Sequence, residues 1–196
     1  MKRLCDIVLS AAGLLCLSPL LLVVALWVKI DSTGPVFYRQ LRVGRYNTDF
    51  RIYKFRSMYT DSDKRGLITI GGHDPRVTRA GYYIRKLKLD ELPQLINVLL
   101  GDMSFVGPRP EVRKYVDMYT PEQLHVLDVR PGITDAASIK YRNENDILAR
   151  QANPERYYIN VILQDKLHIN INYVAHHTIL GDLKLICNTF KVIITE

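Results

Sequence analysis

The chain has 196 residues, a net charge of +7 and three cysteines. Outside its apolar N-terminal segment, this length is sufficient for one compact domain with its own core. An odd number of cysteines without a CxxC pair excludes a disulfide framework and a cysteine-based zinc site. The positive charge beside an apolar segment favours an anionic membrane leaflet or phosphorylated substrates over nucleic acid, for which no recognised module is present.

The first predicted element is an apolar segment interrupted by a proline. Residues 7–28 carry no charge, Pro19 lies near their centre, and basic residues flank both ends. An unbroken helix of this length would rise about 33 Å, but Pro19 removes a backbone N–H and kinks or breaks the helix. We therefore predict a re-entrant helical hairpin, broken at Ser18 and Pro19, that enters one leaflet and returns. The flanking basic residues favour keeping both ends on the cytoplasmic side, and the Ser18 hydroxyl can satisfy a backbone group freed by the break.

Two alternatives apply to the same segment. A transmembrane helix with a proline kink remains open on these residues alone, because membranes tolerate such kinks. A cleaved signal peptide is disfavoured, since the apolar run is longer than usual and residues 27–30 offer no small-residue cleavage site. The predicted domain boundary accordingly separates a membrane segment at residues 1–30 from a second domain at residues 31–196.

The next elements alternate between extended and helical patterns. Enrichment in β-branched and aromatic residues predicts a β-hairpin, and apolar spacing predicts helices that follow a polar loop. The predicted elements are a turn at 31–35, strands at 36–43 and 50–55 around a turn at 44–47, a loop at 60–74, and helices at 80–87 and 89–100. Gly101 is the predicted stop of the second helix.

The C-terminal half is predicted to be mainly helical. Its elements are a rigid proline loop at 106–110, helical residues at 121–129, a turn at 130–132, a long helix at 154–167 and an amphipathic segment at 181–194. The last two segments could lie on the membrane surface as interfacial helices, or their apolar faces could belong to the core. The predicted fold class is therefore α+β and mostly helical, with a small cytoplasmic domain carrying a short β-hairpin.

Adjacent carboxylates stand out at the start of the second predicted helix. Asp90 is a suitable N-cap and Glu91 suits a first turn, so a structural role accounts for both. The same pair beside Arg85, Lys86 and Lys88 would stay ionised at neutral pH. One carboxylate could then attack a phosphoryl group while its neighbour holds Mg²⁺, which offsets the repulsion between anions.

Other cations are candidates for phosphate binding. Arg109 lies between two prolines with fixed φ, so its guanidinium is presented from a stiff loop suited to bidentate phosphate contacts. Lys54 and Arg56 at a strand end form a weaker pattern. His176 and His177 are adjacent, so on a helix they would point in different directions and more often have a structural or surface role.

In order along the chain, these motifs resemble the bacterial sugar transferase family. The motifs are the proline-broken N-terminus, KFRSM at 54–58, DPRVTRAG at 74–81, LDELPQLINVLLGDMSFVGPRPE at 89–111 and RPGIT at 130–134. The resemblance covers nearly the whole chain. The length of the chain matches that of the small monotopic phosphoglycosyl transferases, which begin assembly of surface glycans. It implies a mostly helical fold with a re-entrant membrane helix at the cytoplasmic face of the bacterial inner membrane.

The resemblance also implies a reaction. Asp90 would attack the β-phosphorus of a UDP-sugar, releasing UMP and leaving a covalent phosphosugar–enzyme intermediate that undecaprenyl phosphate then attacks. Glu91 would bind Mg²⁺, and Arg85, Arg109 and Lys54 would bind phosphate. Membrane lipids and downstream glycosyltransferases are further partners implied, whereas the oligomeric state and the sugar are not determined.

One region departs from the family pattern. Many relatives carry an aromatic residue and a glutamine soon after the PGIT turn, where this chain has residues 135–142, DAASIKYR. This stretch could contact the nucleotide or the sugar, so its difference from the family pattern leaves the identity of the sugar open. Two other functions stay open from the residues: a membrane-anchored binding module for acidic partners, and a glycosyl transferase that releases UDP.

Overall fold

The computed structural model describes residues 1–62, 66, 68–69 and 74–194, excluding the side chains of 193 and 194. Most of the predicted loop at 60–74 therefore lies outside the described residues. The helices are α1 Lys2–Asp31, α2 Arg79–Lys86, α3 Gln94–Leu100, α4 Arg113–Val116, α5 Ala136–Lys140, α6 Glu144–Ala149, α7 Pro154–Tyr157, α8 Leu163–His176 and α9 Ile179–Ile194; the strands are β1 Phe37–Val43, β2 Asp49–Phe55, β3 Ser104–Val106 and β4 Gly132–Thr134. The described chain is thus mostly helical with small sheets, as predicted.

The apolar segment forms one helix, α1, that is long and apolar enough to cross a membrane by length and composition. Pro19 lies inside this helix, and the Ser18 hydroxyl donates to the Leu15 carbonyl oxygen at 2.8 Å. The backbone therefore stays helical through Ser18 and Pro19, and the re-entrant path through one leaflet stays a prediction. A proline removes one N–H donor and one helical hydrogen bond, and the remaining bonds on either side keep the chain helical.

Both ends of α1 are fixed to the rest of the protein. At the N-terminal end, Lys2 donates to the Val106 carbonyl at 2.9 Å and pairs with Asp182 of α9. At the other end, Val24 and Val28 are buried against α2 and β2 in an apolar cluster. The middle of the helix remains largely exposed.

The KFRSM sequence at 54–58 has a structural role at the end of α1. The Arg56 guanidinium is buried and donates to the Val28 carbonyl at 3.1 Å, the Ser32 carbonyl at 2.7 Å and the Thr33 carbonyl. These carbonyls belong to or follow the last turn of α1, where intrahelical donors run out. Arg56 is therefore a cap of α1, and only Lys54 of this motif reaches the site described below.

The β-hairpin prediction is confirmed. β1 and β2 pair antiparallel from Phe37 opposite Phe55 to Val43 opposite Asp49. The Asn97 side chain of α3 accepts from the Tyr53 N–H at 2.8 Å and donates to the Arg51 carbonyl at 2.9 Å. This amide fixes α3 to β2 and so sets the position of the turn that precedes α3.

The predicted helix at 89–100 is only partly correct. Residues Leu89–Glu91 form a 3₁₀ turn, and α3 begins after Pro93, so Asp90 is not the N-cap of that helix. Pro93 has no N–H to donate to the preceding turn, which ends the 3₁₀ hydrogen bonds there although Leu92 keeps helical backbone angles. The predicted stop is confirmed, since Gly101 adopts φ +100° at the C-cap of α3.

The sequence did not predict the parallel pair of β3 and β4, which replaces the expected turn at 130–132. Ser104 pairs with Gly132, and Val106 pairs with Thr134. A Cβ on Gly132 would lie 2.2 Å from the Gly107 nitrogen, so the two loops approach only because both residues are glycines. The GPRP and RPGIT motifs are thereby packed against each other.

The C-terminal helices separate into a core helix and an exposed one. α7, a π-helical stretch at Tyr158–Ile162 and α8 run consecutively, which extends the predicted 154–167 helix to His176. Leu163 and Leu167 are buried in the largest described apolar cluster, so of the two alternatives the core position applies to α8. In α9, Leu180 and Phe190 are 72% and 62% exposed, which leaves an apolar face uncovered.

Candidate active site

The predicted carboxylate pair lies in a tight turn between α2 and α3. Lys88 adopts the left-handed conformation with φ 56°, and Leu89–Glu91 follow as a 3₁₀ turn. This change of direction places two consecutive side chains at the protein interior, where Asp90 is 8% exposed and the Glu91 side chain 18%. Buried carboxylates are rare unless they are paired, so the environment of each one is informative.

Glu91 is held by two cations. The Lys54 ammonium of β2 lies 2.9 Å from Glu91 Oε1, and the Arg109 guanidinium contacts both Glu91 oxygens, at 3.2 Å for Nη1 to Oε2. Burial raises the pKa of Glu91, but Arg109 and Lys54 outweigh it and hold that pKa well below its ordinary value. Glu91 is therefore ionised and fixed in one orientation.

Arg109 is positioned by backbone contacts between the two motif loops. The Gly132 N–H donates to the Pro108 carbonyl at 3.0 Å, and the Arg109 N–H donates to Asp135 Oδ2 at 3.0 Å. The negative charge of Glu91 raises the pKa of Arg109 further above its ordinary value. The flanking prolines are predicted to hold Arg109 in a stiff loop. The Asp135 carboxylate, which that prediction did not include, also holds the Arg109 backbone.

Asp90 has a contrasting environment. Among residues 1–62, 66, 68–69 and 74–194, no side chain or N–H donates a hydrogen bond to its carboxylate, and no cation lies within ion-pair distance. Burial and the adjacent Glu91 charge raise the pKa of Asp90, while Lys54, Arg85 and Lys88 act in the opposite direction from further away. The expectation that both carboxylates are stabilised as anions therefore holds for Glu91, whereas the pKa of Asp90 shifts the other way.

The remaining predicted cations lie on either side of this turn. Arg85 is half-buried at the end of α2, where it donates to the Thr69 hydroxyl at 3.2 Å. Lys86 and Lys88 are exposed. Burial lowers the pKa of Lys54, and the Glu91 charge partly offsets that effect. The structure thus brings Lys54 and Arg109 to Glu91 directly and places Arg85 nearby without contact to either acid.

Other candidate residues have structural contacts. The Asp74 carboxylate accepts from the Arg76 guanidinium at 2.6 Å, and the Thr78 hydroxyl caps α2 by accepting from the Gly81 N–H. His176 and His177 each have Nδ1 about one hydrogen-bond length from a backbone carbonyl, both at 3.1 Å. These contacts agree with the structural role expected for the histidines.

Two residues of the site carry signals that the sequence analysis did not use. Asp135 is 1% exposed, caps α5 through the Ser138 N–H at 2.6 Å and orients the Arg109 backbone. Burial raises the pKa of Asp135. Gln94 is 1% exposed, and its Nε2 has no hydrogen-bond partner in the described part of the chain. The N-cap pattern at residues 135–138 could have revealed Asp135, whereas only the tertiary structure reveals the burial of Gln94.

The suitability of the site for a divalent metal can be judged from its donors. The described residues contain no group of three or more histidine, cysteine, aspartate or glutamate side chains that could hold a metal. Glu91 and Asp90 are the carboxylates of the turn, and the Glu91 oxygens already contact two cations. This set fits Mg²⁺ only when phosphate oxygens supply further ligands, which is the usual way proteins hold that ion.

The fold and site together define a small domain fixed to an apolar helix, with two buried adjacent carboxylates facing fixed cations. The chain belongs to the bacterial sugar transferase family, whose model matches residues 1–196. The resemblance inferred from the motifs is therefore confirmed.

Curated relatives share this region. The chain is 39% identical over 197 residues to the UDP-N-acetylgalactosamine-undecaprenyl-phosphate N-acetylgalactosaminephosphotransferase of Aeromonas hydrophila, covering 99% of this chain and 44% of that protein. It is 37% identical to the UDP-glucose:undecaprenyl-phosphate glucose-1-phosphate transferase of Escherichia coli, covering 95% of this chain and 38% of that protein. It is 38% identical to the exopolysaccharide production protein PSS of Rhizobium leguminosarum, covering 96% and 92%. The chain thus spans less than half of the first two relatives and nearly all of the third.

Proposed function

We propose that this protein is a phosphoglycosyl transferase that moves a sugar-1-phosphate from a UDP-sugar to undecaprenyl phosphate and releases UMP. The observation that carries this proposal is the contrast in one turn: Asp90 is buried and accepts no hydrogen bond from the residues that the structure describes, while Glu91 is held by Lys54 and Arg109. The names of the relatives from Aeromonas and Escherichia supply the donor and acceptor classes.

In the first step, a carboxylate oxygen of Asp90 attacks the β-phosphorus of the donor. The bond from that phosphorus to the bridging oxygen breaks, UMP leaves with this oxygen, and an aspartyl-phosphosugar remains. A carboxylate without hydrogen bonds is a better nucleophile than a paired one, because no donor has to be displaced from its lone pairs. Burial adds to this effect, since it leaves the anion poorly solvated.

Arg109 and Lys54 are proposed to bind the diphosphate. Both cations already lie beside Glu91, so an incoming phosphate oxygen enters a region of fixed positive charge. Arg85, whose charge acts on the Asp90 carboxylate, is proposed to contribute a further positive charge. Bound with the donor, Mg²⁺ would neutralise diphosphate charge, and Glu91 is the residue proposed to hold it.

In the second step, a phosphate oxygen of undecaprenyl phosphate attacks the phosphorus of the intermediate. The bond to Asp90 breaks, the carboxylate is regenerated, and the product is undecaprenyl-diphospho-sugar. A covalent intermediate with ordered loss of UMP predicts ping-pong kinetics. The product is a substrate for downstream glycosyltransferases in glycan assembly.

The proposed location is the cytoplasmic face of the bacterial inner membrane, with α1 as a re-entrant helix. Support comes from the attachment of both ends of α1 to the same domain, through Lys2 at the start and Val28 at the end. A helix that crossed the membrane fully would place its two ends about 30 Å apart on opposite faces. The exposed apolar face of α9 is proposed to lie in the same interface.

The proposal is tested by identifying the nucleotide that is released. Purified protein in lipid nanodiscs is incubated with Mg²⁺, undecaprenyl phosphate and a panel of UDP-sugars that includes UDP-glucose and UDP-N-acetylgalactosamine. We expect UMP from one or two donors, a phosphosugar adduct on Asp90 by mass spectrometry, and neither with Asp90→Asn.

The same assay separates the alternative functions. Release of UDP would assign transfer of the sugar alone and would contradict the phosphosugar intermediate. No nucleotide release from any donor, with protein shown to be folded and lipid-bound, would favour the membrane-anchored binding module, whose partner binding an Asp90 substitution would leave intact.

A further inference from the structure

We infer that the exposed face of α2, together with Trp27 of α1, binds the acceptor lipid and directs its phosphate to Asp90. This inference rests on the function proposed above, since it names where the second substrate of that reaction docks. The face is defined here as the aromatic–basic face and consists of Trp27, Tyr82, Tyr83, Lys86 and Leu87.

Aromatic side chains make up the part of this face nearest α1. The Trp27 and Tyr83 rings are stacked with centroids 6.1 Å apart, and the Tyr82 ring meets Tyr83 edge-on at 5.3 Å. Despite these contacts, Trp27 is 40% and Tyr83 is 54% exposed. Trp and Tyr with one packed side and one open side are typical of membrane–water interfaces, where their apolar rings meet lipid chains.

Positive charge makes up the part nearest the carboxylate turn. Lys86 and Lys88 are exposed, and residues 75–89 contain no acidic side chain. Leu87 lies between these lysines and is 58% exposed. The face therefore changes from aromatic and apolar to cationic over one short helix, which matches a ligand with a long hydrocarbon chain and an anionic head.

The cationic end adjoins the proposed nucleophile. Lys88 opens the turn that contains Asp90, and Asp90 lies three residues after Leu87 at the end of the face. A phosphate monoester held by Lys86 and Lys88 would thus lie at the start of the turn that carries Asp90. The donor diphosphate is proposed to lie at Lys54 and Arg109, which contact Glu91, so the exposed lysines of this face are left for the acceptor.

Continuity with the membrane helix favours a lipid as the occupant over a soluble phosphate. Trp27 belongs to α1, and its neighbours Leu26 and Ile30 are 55% and 84% exposed. A chain leaving the aromatic rings therefore meets the apolar surface of α1 directly. Burying apolar lipid area along this path is favourable at about 25 cal/mol per Å².

The experiment compares the two half-reactions in variants of the aromatic–basic face. Tyr83→Ala and Lys86→Gln are assayed for UMP release without acceptor and for the KM of undecaprenyl phosphate in nanodiscs of constant lipid composition. We expect the donor half-reaction to stay within twofold of wild type. The acceptor KM should rise about tenfold for Tyr83→Ala, equivalent to about 1.4 kcal/mol, and a few-fold for Lys86→Gln.

Matched controls distinguish specific binding from general effects. Tyr83→Phe keeps the ring and should retain the wild-type KM, while Lys114→Gln removes one exposed lysine of α4 and should leave both half-reactions unchanged. Trp27 is the only tryptophan, so its fluorescence reports binding directly when undecaprenyl phosphate is titrated into the protein.

Three results would overturn the inference. An acceptor KM in Tyr83→Ala no higher than in Lys114→Gln would remove the face from acceptor binding. Equal loss of both half-reactions would assign the residues a structural role. A defect that appears only when phosphatidylglycerol is added to the nanodiscs would assign the face to bulk anionic lipid. Failure of the proposed function itself is separate, since wild-type protein would then release no UMP.

Discussion

The two sides of the 88–91 turn differ sharply although their carboxylates are adjacent in the chain. On one side, Glu91 is fixed by Lys54 and Arg109, and its pKa is held low. On the other side, Asp90 is equally hidden from solvent but accepts no hydrogen bond within the described residues, and its pKa is raised. Two identical functional groups thus have different surroundings: the Glu91 carboxylate is part of a charge network, and the Asp90 carboxylate is outside it.

This contrast supports the roles that the family resemblance implies, in which Asp90 attacks and Glu91 binds Mg²⁺. A DE pair alone allows either acid to attack and either to hold a metal. The clamped acid is the poorer nucleophile, because attack would require it to leave two charge-assisted hydrogen bonds. Substitutions in this turn should either remove the difference between the environments of Asp90 and Glu91 or increase it.

The largest expected effect is on the donor half-reaction. Asp90→Asn should reduce intermediate formation by at least about 10⁴-fold, because an amide cannot form the acyl phosphate. Glu91→Gln keeps the nucleophile and should lose about 10²–10³-fold through weaker electrostatic stabilisation. Single-turnover UMP release in nanodiscs measures both, and equal losses would contradict the division of roles.

The free energy of unfolding should change in opposite directions in the Glu91→Gln and Asp90→Asn variants. Glu91→Gln leaves Lys54 and Arg109 without their counter-charge and should lower the free energy of unfolding by about 2–3 kcal/mol. Asp90→Asn removes a poorly solvated charge and should raise it by up to about 1 kcal/mol. Thermal unfolding followed by Trp27 fluorescence gives the sign, and destabilisation by Asp90→Asn would show that its carboxylate has partners in the folded protein.

Proton linkage gives the same contrast as a function of pH. The depressed pKa of Glu91 contributes stability above its unfolded pKa, which is lost as pH falls through the folded pKa. The raised pKa of Asp90 has the opposite sign, since the folded state binds its proton more tightly and stability falls as pH rises through that range. Stability curves for Glu91→Gln should therefore lose the decline at acidic pH that the wild type shows.

Arg109 tests whether geometry or charge maintains the clamped side. Arg109→Lys keeps the positive charge but removes the planar fork that contacts both Glu91 oxygens. We expect about a tenfold loss in the donor half-reaction and little change in acceptor KM. A lysine variant with wild-type activity would show that a point charge is sufficient at this position.

The smallest expected effect is a shift in the pH profile. Attack requires ionised Asp90, so donor turnover should decline on acidification at a higher pH than for an ordinary aspartate. Glu91→Gln removes the neighbouring negative charge and frees two cations, which lowers the pKa of Asp90. The acidic limb of the rate profile should therefore move to lower pH in Glu91→Gln. If that limb does not move, the decline in rate on acidification does not come from protonation of Asp90.

The sequence by itself determined the apolar helix, the hairpin, the C-terminal helical content and the family, because each depends on local periodicity or on motifs that fall within a few residues. It also identified Asp90, Glu91, Arg109 and Lys54 as candidates. Tertiary structure alone decided that Arg56 caps α1 instead of joining the site, that α8 is core while α9 is exposed, and that Asp135 orients Arg109. These outcomes depend on contacts between residues far apart in the chain, such as Gly107 against Gly132, and no spacing rule along one segment encodes which distant groups will meet.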